Sequence, residues 1–351
     1  MATKEANWAT LPDLALCLIL EKLVALSDFL RLAAVCLNGD DLASKQLLVS
    51  SEQLSVPHSL RYSGSSYGWL AFGTGEENDF EVTLYNPFTR DKINDLPHIE
   101  KELTMLYPHF FIIKVILSAN PSVSRDDLYI VVIYDGMHEL ALLKYGQKSW
   151  TYIDFMGINL VSADVIFFRG LLYAVTFSAR IASIDIIGSL NMKKQEAPQP
   201  IFILQNEAVE YAKAEYLVES SQGELLLVKK YYYLDEEDVQ TNFRFKVYKV
   251  VISSDGNGAK LEEVKSLGND ALFVGDNHSM SVSILEFPEC QPDSIYFTDD
   301  GYDPGFYRNH GPRNNGIYNL KDGTIQNHYQ PHPGEEKHML PPIWVIPSAN
   351  F

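Results

Sequence analysis

The segment Gly64-Ser65-Ser66-Tyr67-Gly68 has the residue spacing of a serine-nucleophile turn. In that turn a strand precedes the serine and a helix follows it, so that the hydroxyl is exposed to an acyl substrate. Here a polar loop precedes Ser66, and an apolar run typical of a strand follows it. The motif lacks the surroundings that acyl transfer requires, and we predict no catalytic residue at this position.

Three histidines, His328, His332 and His338, are the candidates for a metal site. They lie in a loop that also contains two prolines and a glycine. A zinc site needs ligands held in tetrahedral geometry, and the spacing of residues in such an irregular loop does not fix that geometry. We therefore predict no metal site, and we interpret the loop as solvated.

The segment Asp255-Gly256-Asn257-Gly258 begins like a calcium-binding loop. Ala259 and Lys260 then occupy the next two positions, where the calcium pattern fails. The sequence also contains no phosphate-binding loop and no dinucleotide fingerprint. We expect no cofactor.

The overall charge excludes several classes of partner. The chain has 46 acidic and 28 basic residues, for a net charge of −18. Phosphate contacts need clustered Lys and Arg, so we expect neither nucleic-acid nor anionic-membrane binding. No apolar run reaches the roughly 18 residues of a membrane helix. Three cysteines without a CxxC spacing favour a reducing compartment, either cytoplasmic or nuclear.

The first 50 residues have a helical pattern. Thr10 and Asp13 have the spacing of a capping box, and within residues 14–26 one helix face carries Leu16, Ile19, Leu20 and Leu23. Ser27-Asp28 then begins a second amphipathic helix that Gly39 ends. Two short helices cannot bury their apolar faces alone. They must pack on the rest of the chain or on another protein.

From Tyr67 onward, short runs rich in Val, Ile, Tyr and Phe alternate with turn residues, which predicts strands. Residues 128–155 are typical of a three-stranded meander. A weak repeat of a polar or Gly residue, any residue, and two apolar residues recurs at Gly68, Asp126, Gly170, Gly223 and Asp293. A period near 50 residues favours a β-propeller of five to seven blades, with an extra half-blade near residues 271–285 as one option. An array of β-sandwiches is the alternative.

The N-terminal pattern resembles the F-box, the helical motif by which substrate receptors dock on the Skp-type adaptor of SCF ubiquitin ligases. Trp8, Leu11-Pro12 and Val35-Cys36 stand in the F-box order, and the resemblance covers about residues 7–36. It implies adaptor contacts from Leu11, Pro12, Leu14, Ile19, Leu23, Leu30 and Val35. The sequence departs from the motif at Gly39-Asp40-Asp41, where the third helix is shortened or replaced. The alternative is a helical hairpin that packs on the large domain.

The remainder of the chain resembles the KIB-type β-propeller that follows the F-box in many plant proteins. The matching motifs are Ser66-Tyr67-Gly68-Trp69-Leu70, Asn86-Pro87-Phe88-Thr89, Ile93–Pro97, Ser294–Asp300, Gly316–Leu320 and Pro341–Trp344. We therefore expect an α+β multidomain chain. It would have an F-box-like helical segment at residues 7–50, a linker at 51–65 and a mainly-β propeller at 66–348.

The two resemblances imply a non-enzymatic substrate receptor that joins a Skp-type adaptor and a cullin ligase to an unknown target protein. Long loops rich in aromatic and Arg residues are often interface sites. The loop at 299–315 therefore supplies the target-binding candidates Tyr302, Phe306, Tyr307, Arg308 and Arg313. One alternative is a propeller interaction module that has lost its ligase coupling. Another is a propeller glycosidase with Asp299, Asp300 or Asp303 as acids.

Overall fold

The computed structural model describes residues 62–100, 112–155, 162–186, 197–205, 212, 214–233, 242–298, 315–326 and 344, except 77–78, 135–138, 177–179, 276–277 and 289. The predicted helical segment at 7–50 lies outside these residues. The predicted linker at 51–65 overlaps the first strand, which begins at Tyr62. The sheet domain therefore begins earlier than the predicted boundary at residue 66, because residues 62–65 already pair with the next strand.

The described strands form five sheets. Sheet 1 contains β1 (Tyr62–Ser66), β2 (Trp69–Glu76), β3 (Asp79–Tyr85), β4 (Lys92–Ile93) and β5 (Ile99–Glu100). Sheet 2 contains β6 (Ile112–Leu117), β7 (Tyr129–Tyr134), β8 (Glu139–Lys144) and β9 (Thr151–Ile153). Sheet 3 contains β10 (Ser162–Phe168), β11 (Leu171–Thr176), β12 (Ile181–Ile184) and β13 (Ile201–Leu204). Sheet 4 contains β14 (Ala214–Glu219), β15 (Leu225–Tyr233), β16 (Asn242–Ile252) and β17 (Ala259–Val264). Sheet 5 contains β18 (Asp270–Val274), β19 (Met280–Ser283), β20 (Ser294–Phe297), β21 (Gly316–Asn319) and β22 (Ile325–Gln326).

Each sheet is one blade of a five-bladed propeller. In sheets 1 to 4, successive strands pair antiparallel in chain order, apart from β5, which pairs with β3. The innermost strands are β1, β6, β10, β14 and β19; β1 contacts β6, β6 contacts β10, β10 contacts β14, and β14 contacts β19. The propeller prediction is confirmed, with a blade count inside the predicted range.

The predicted repeat precedes the second strand of sheets 1 to 4, namely β2, β7, β11 and β15, and it precedes β20 in sheet 5. Its residues Gly68, Gly170, Gly223 and Asp293 have positive φ values of 79°, 82°, 71° and 54°. The tight turns that join antiparallel strands at Gly68, Gly170 and Gly223 need this left-handed conformation, which Gly adopts without strain. The glycines of the repeat therefore recur because the backbone of these turns requires them.

The core lies between the blades, because alternate residues of each strand point to opposite neighbours. On β11, Leu172 and Ala174 pack against sheet 2, whereas Tyr173 and Val175 pack against sheet 4. Similar apolar clusters fill the junctions between sheets 1 and 2 and between sheets 4 and 5. Each fully buried large apolar side chain contributes about 1.5–3 kcal/mol to folding. The four junctions between consecutive blades are therefore hydrophobic cores in their own right.

Sheet 5 departs from the pattern of the other blades. Its strand β18 pairs antiparallel with β19 and parallel with β20, so the order is β19-β18-β20-β21-β22. The extra strands near residues 271–285 therefore belong to the fifth blade and form no separate half-blade. The segment that leads into β19 reaches the centre of the ring, where it contacts the inner strands of other blades.

Among the described residues, Trp344 links the last blade to the first. The Trp344 indole is 3% exposed, with its ring centre 5.1 Å from that of Phe273, and its Nε1 donates to the Val274 carbonyl at 3.2 Å. On the other side, the Ser65 hydroxyl of β1 donates to the Trp344 carbonyl. One residue near the C-terminus thus joins the last blade to the first.

Candidate functional site

Both predicted sets of binding residues lie outside the described part of the chain and stay predictions. The adaptor-binding set is Leu11, Pro12, Leu14, Ile19, Leu23, Leu30 and Val35, and the target-binding set is Tyr302, Phe306, Tyr307, Arg308 and Arg313. The histidines His328, His332 and His338 also lie outside it. The structure instead shows two features that the sequence did not indicate: a buried polar cluster on the propeller axis, and a small surface where the axis opens.

The axial cluster is built around a buried ion pair. Lys114 on β6 and Asp164 on β10 place Nζ and Oδ1 2.5 Å apart, with side-chain exposures of 5% and 0%. Each of these residues follows a β-bulge in the inner strand of its blade. A bulge bends the strand and re-aims the next side chain, which here directs both charges to the axis.

The Asp164 carboxylate accepts hydrogen bonds from several blades at once. Its Oδ1 accepts from Lys114 Nζ and from the Val165 backbone N at 2.8 Å. Its Oδ2 accepts from the Leu217 backbone N at 3.0 Å and from the Ser279 hydroxyl at 2.9 Å. A buried charge is costly unless such partners compensate it. These four bonds supply that compensation, and their donors come from sheets 2, 3 and 4 and from the segment before β19.

The first blade joins the cluster through Ser66 and His278. The Ser66 Oγ lies 3.2 Å from His278 Nδ1 and accepts a hydrogen bond from the Leu117 backbone N at 3.3 Å. Burial and, secondarily, the charge of Lys114 lower the pKa of His278 to about 4. The imidazole is therefore neutral at pH 7, so Nδ1 can accept the Ser66 hydroxyl proton.

The contact between Ser66 and His278 resembles a nucleophile with its base, but its surroundings differ from those of a hydrolase. Ser66 is 3% exposed, and it ends β1 before a two-residue turn that leads directly into β2. The residues that follow Ser66 thus form a turn and a strand, as predicted, where a nucleophile turn has a helix. The pair serves to hold the first blade to the fifth.

One signal in the sequence could have revealed the cluster. Lys114 and Asp164 are single charged residues within apolar strands, and each pairs with the fifth residue of the following strand, Ile133 and Val175 respectively. Glu215 on β14 occupies the same register opposite Lys229, and its Oε1 lies 3.4 Å from Lys229 Nζ with both side chains buried. Charged residues at one equivalent position of three successive blades indicate an axis lined by polar groups.

Sheet 4 also holds a second buried lysine. The Lys230 ammonium lies 5.2, 5.8 and 5.0 Å from the ring centres of Phe243, Phe245 and Phe297. Aromatic ring faces attract a cation, most strongly where water is absent. The positive charge of Lys230 is therefore stabilised by aromatic rings inside the junction between sheets 4 and 5, away from the surface.

The second feature lies on the face that carries the β1–β2, β10–β11 and β14–β15 turns, which we call the hairpin face. Tyr67 occupies the β1–β2 turn with φ 53° and is 41% exposed. Its hydroxyl donates to the Ser118 carbonyl of sheet 2 at 3.3 Å. Burial, followed by the negative charge of Glu219 at the end of β14, raises the pKa of Tyr67. The ring thus lies where the inner strands of sheets 1, 2 and 4 end.

The described residues contain no group of three or more His, Cys, Asp or Glu side chains placed to hold a metal ion. Within the same residues, no helix has the length and apolar character needed to cross a membrane.

The Asp255 carboxylate accepts from the Ser253 hydroxyl at 2.5 Å and from the Asn257 backbone N at 3.1 Å, and these bonds lower its pKa. Its oxygens therefore stabilise the β16–β17 turn.

Comparisons with known proteins agree with this architecture. The family model described as KIB1-4 beta-propeller matches residues 42–319. An F-box protein of Arabidopsis thaliana is 25% identical, covering 94% of this chain and 95% of its own length. A second F-box protein of that plant is 26% identical over 85% of this chain and 97% of its own length. Among solved structures, the N-terminal domain of Nup159 is 12% identical, covering 77% of this chain and 64% of that chain, with a TM-score of 0.31.

Proposed function

Because the chain belongs to the KIB1-4 beta-propeller family, we propose that it is the substrate-receptor subunit of an SCF-type ubiquitin ligase. The observation that carries the proposal is the alignment with an F-box protein over 94% of this chain and 95% of the relative. An alignment of that extent supports a shared domain organisation. The five-bladed ring adds a rigid binding domain to the proposed F-box.

In this proposal the chain performs no chemistry. Residues 7–36 dock on a Skp-type adaptor through Leu11, Pro12, Leu14, Ile19, Leu23, Leu30 and Val35, and a cullin completes the ligase. The propeller holds the target, with the loop that contains Tyr302, Phe306, Tyr307, Arg308 and Arg313 as one contact. Tethering raises the effective concentration of the target near the ubiquitin-transferring subunits.

Co-purification with a plant Skp-type adaptor tests the coupling to the ligase. We expect the full chain to form a stoichiometric complex, and we expect the double substitution of Leu11 and Pro12 to Ala to abolish it. A matched control exchanges Leu48 for Ala, which lies beyond the F-box resemblance. If the wild-type chain folds but binds no adaptor, then the departure at Gly39-Asp40-Asp41 has uncoupled it, and an interaction module without ligase function remains.

The proposal also places the chain in the cytoplasm, the nucleus or both. These are reducing compartments, and Cys290, the cysteine in the described residues, is a buried free thiol. A fluorescent fusion expressed from the native promoter tests this placement. Accumulation in the secretory pathway would contradict it.

A further inference from the structure

The axial opening on the hairpin face has the properties of a binding surface. Tyr67 follows the last residue of β1, and Glu219 is the last residue of β14, so both lie at the inner rim of this face. We call Tyr67 and Glu219 together the axial mouth, which combines an exposed aromatic ring with an exposed carboxylate.

The backbone at Tyr67 is strained. Its φ of 53° lies in the left-handed region, where a bulky L-residue is an outlier. Asn, Asp or Gly is the usual residue at the first position of a two-residue turn of this kind. Strained residues of this type persist where the surrounding structure holds them, and they concentrate at binding and active sites. The tyrosine hydroxyl donates to the Ser118 carbonyl, a bond that the shorter asparagine side chain would not make. That bond does not account for the exposed part of the ring, which calls for an explanation of its own.

The Tyr67 ring is also held rigidly. The bond from its hydroxyl to the Ser118 carbonyl fixes the ring against sheet 2 while 41% of the side chain stays exposed. A tyrosine loses little conformational entropy on binding, and pre-organisation lowers that cost further. Tyrosine is one of the residue types enriched at interface hot spots. The exposed part of the ring is thus pre-organised for a further contact.

The negative charge of the axial mouth indicates which kind of side chain it binds. The Glu219 side chain is exposed and forms no ion pair within the described residues, although its backbone carbonyl accepts from the Ser281 hydroxyl at 2.7 Å. Arg169 of the neighbouring hairpin donates to the Gly223 carbonyl at 2.9 Å and forms no ion pair with Glu219 within the described residues. The whole chain carries a net charge of −18, which attracts a basic partner.

We propose that the axial mouth binds a Lys or Arg side chain of the target protein. The aliphatic stem of that side chain packs on the ring of Tyr67, and its cationic head group pairs with the carboxylate of Glu219. The inference rests on the proposed function, because the occupant is a segment of the ubiquitination target. It adds a basic contact at the axis to the interaction of the propeller with that target.

The test measures binding of a defined peptide to the full-length chain. The probe is a fluorescein-labelled 12-residue peptide rich in Lys and Arg, and the reference peptide has those residues replaced by Gln. We expect Glu219→Gln and Tyr67→Asn each to weaken binding of the basic peptide about tenfold, and neither to change binding of the reference. Glu262→Gln, which removes an exposed charge from the outer strand β17, is the matched control and leaves binding unchanged.

Thermal denaturation separates this role from a structural one. Asn adopts the left-handed conformation more readily than Tyr, so Tyr67→Asn leaves the midpoint of thermal denaturation unchanged or raises it while peptide binding is lost.

If Glu219→Gln and Glu262→Gln weaken peptide binding equally, the effect comes from overall charge and the proposal is overturned. Absence of peptide binding by a wild-type chain that binds the Skp-type adaptor overturns the axial mouth alone. Peptide binding without adaptor binding overturns the ligase proposal alone.

Discussion

The four junctions between consecutive blades differ from the junction that closes the ring. Each consecutive junction is filled by strand side chains from both blades, as between sheets 1 and 2 or sheets 3 and 4. Among the described residues, the cluster at the closing junction contains side chains of sheet 5 and Trp344, and the Ser65 hydroxyl of sheet 1 donates to the Trp344 carbonyl. Within this part of the chain, consecutive blades are therefore joined by apolar clusters that both blades share, whereas the first and last blades are joined through Trp344 and through the contact of Ser66 with His278.

Sequence separation explains the difference. Neighbouring blades are joined by short connections, so their faces meet at a small cost in loop entropy. The contact of Ser65 with Trp344 spans 279 residues, and the contact of Ser66 with His278 spans 212. Such contacts form after the blades have assembled. Directional polar bonds at the axis then select the correctly closed ring, because a misaligned ring would leave the buried charge of Asp164 uncompensated.

The largest effect is expected from Asp164→Ala. The substitution removes four hydrogen bonds and leaves the Lys114 ammonium buried without its carboxylate. Removing one partner of a buried ion pair costs about 3–5 kcal/mol of the free energy of unfolding. Chemical denaturation of the full chain measures this change.

A double variant serves as the control for Asp164. Lys114→Met with Asp164→Leu replaces both charges by apolar groups, and it should recover much of the lost stability. Equal stability of Asp164→Ala and the wild-type chain would show that the axis does not hold the ring together. It would also leave the closing junction dependent on Trp344 alone.

Trp344→Ala should have the next largest effect, about 3 kcal/mol. The loss should be greatest in sheet 5, because the indole packs against Phe273 and Tyr296 of that sheet. Amide hydrogen exchange should show faster exchange in β18 and β20, with sheets 2 and 3 still protected. The control is Leu227→Ala at the junction of sheets 3 and 4, which should accelerate exchange on both sides of that junction. A uniform loss of protection in Trp344→Ala would contradict a distinct closing junction.

The contrast between junctions also explains what the sequence could predict. The period near 50 residues and the turn residues at Gly68 and Gly170 follow from the local backbone conformation of the strands and turns. These local patterns indicated the propeller correctly. The axial cluster depends on which residues meet after five blades close, and no local pattern places Asp164 beside Ser279. The sequence indicated extra strands near residues 271–285, but it did not indicate that β18 belongs to the fifth blade, since its parallel pairing with β20 is set by the ring and not by a turn.

Acidification should weaken the closing contacts by a smaller amount. The unfolded chain protonates His278 near pH 6.5, whereas the folded chain does so near its lowered pKa of about 4. The unfolded state therefore binds more protons between these values, and the stability falls as the pH falls through this window. We expect a loss of about 1 kcal/mol at pH 5, because the imidazole retains some contact with water.

The histidine effect is measured as a difference between variants, because carboxylates also titrate in this window. His278→Gln keeps a polar side chain but removes the titration, so its unfolding free energy should depend less on pH between 6.5 and 4. Lys114 and Ser66 face the imidazole, and both remain in this variant. Identical pH profiles for the two chains would show that His278 does not contribute to acid sensitivity.

The smallest effect is expected from Ser221→Ala, which removes a polar bond at a consecutive junction. The Ser221 hydroxyl donates to Asp270 Oδ1 at 2.5 Å and joins sheet 4 to sheet 5, while the Ser221 backbone N still donates to Oδ2 at 2.9 Å. Because an apolar cluster already joins these sheets, we expect a loss of about 1 kcal/mol, measured by chemical denaturation. Ser279→Ala, which removes a bond to Asp164 at the axis, is the comparison and should cost more. If the two variants lose equal stability, polar bonds contribute alike at both kinds of junction, and the axis has no special part in closing the ring.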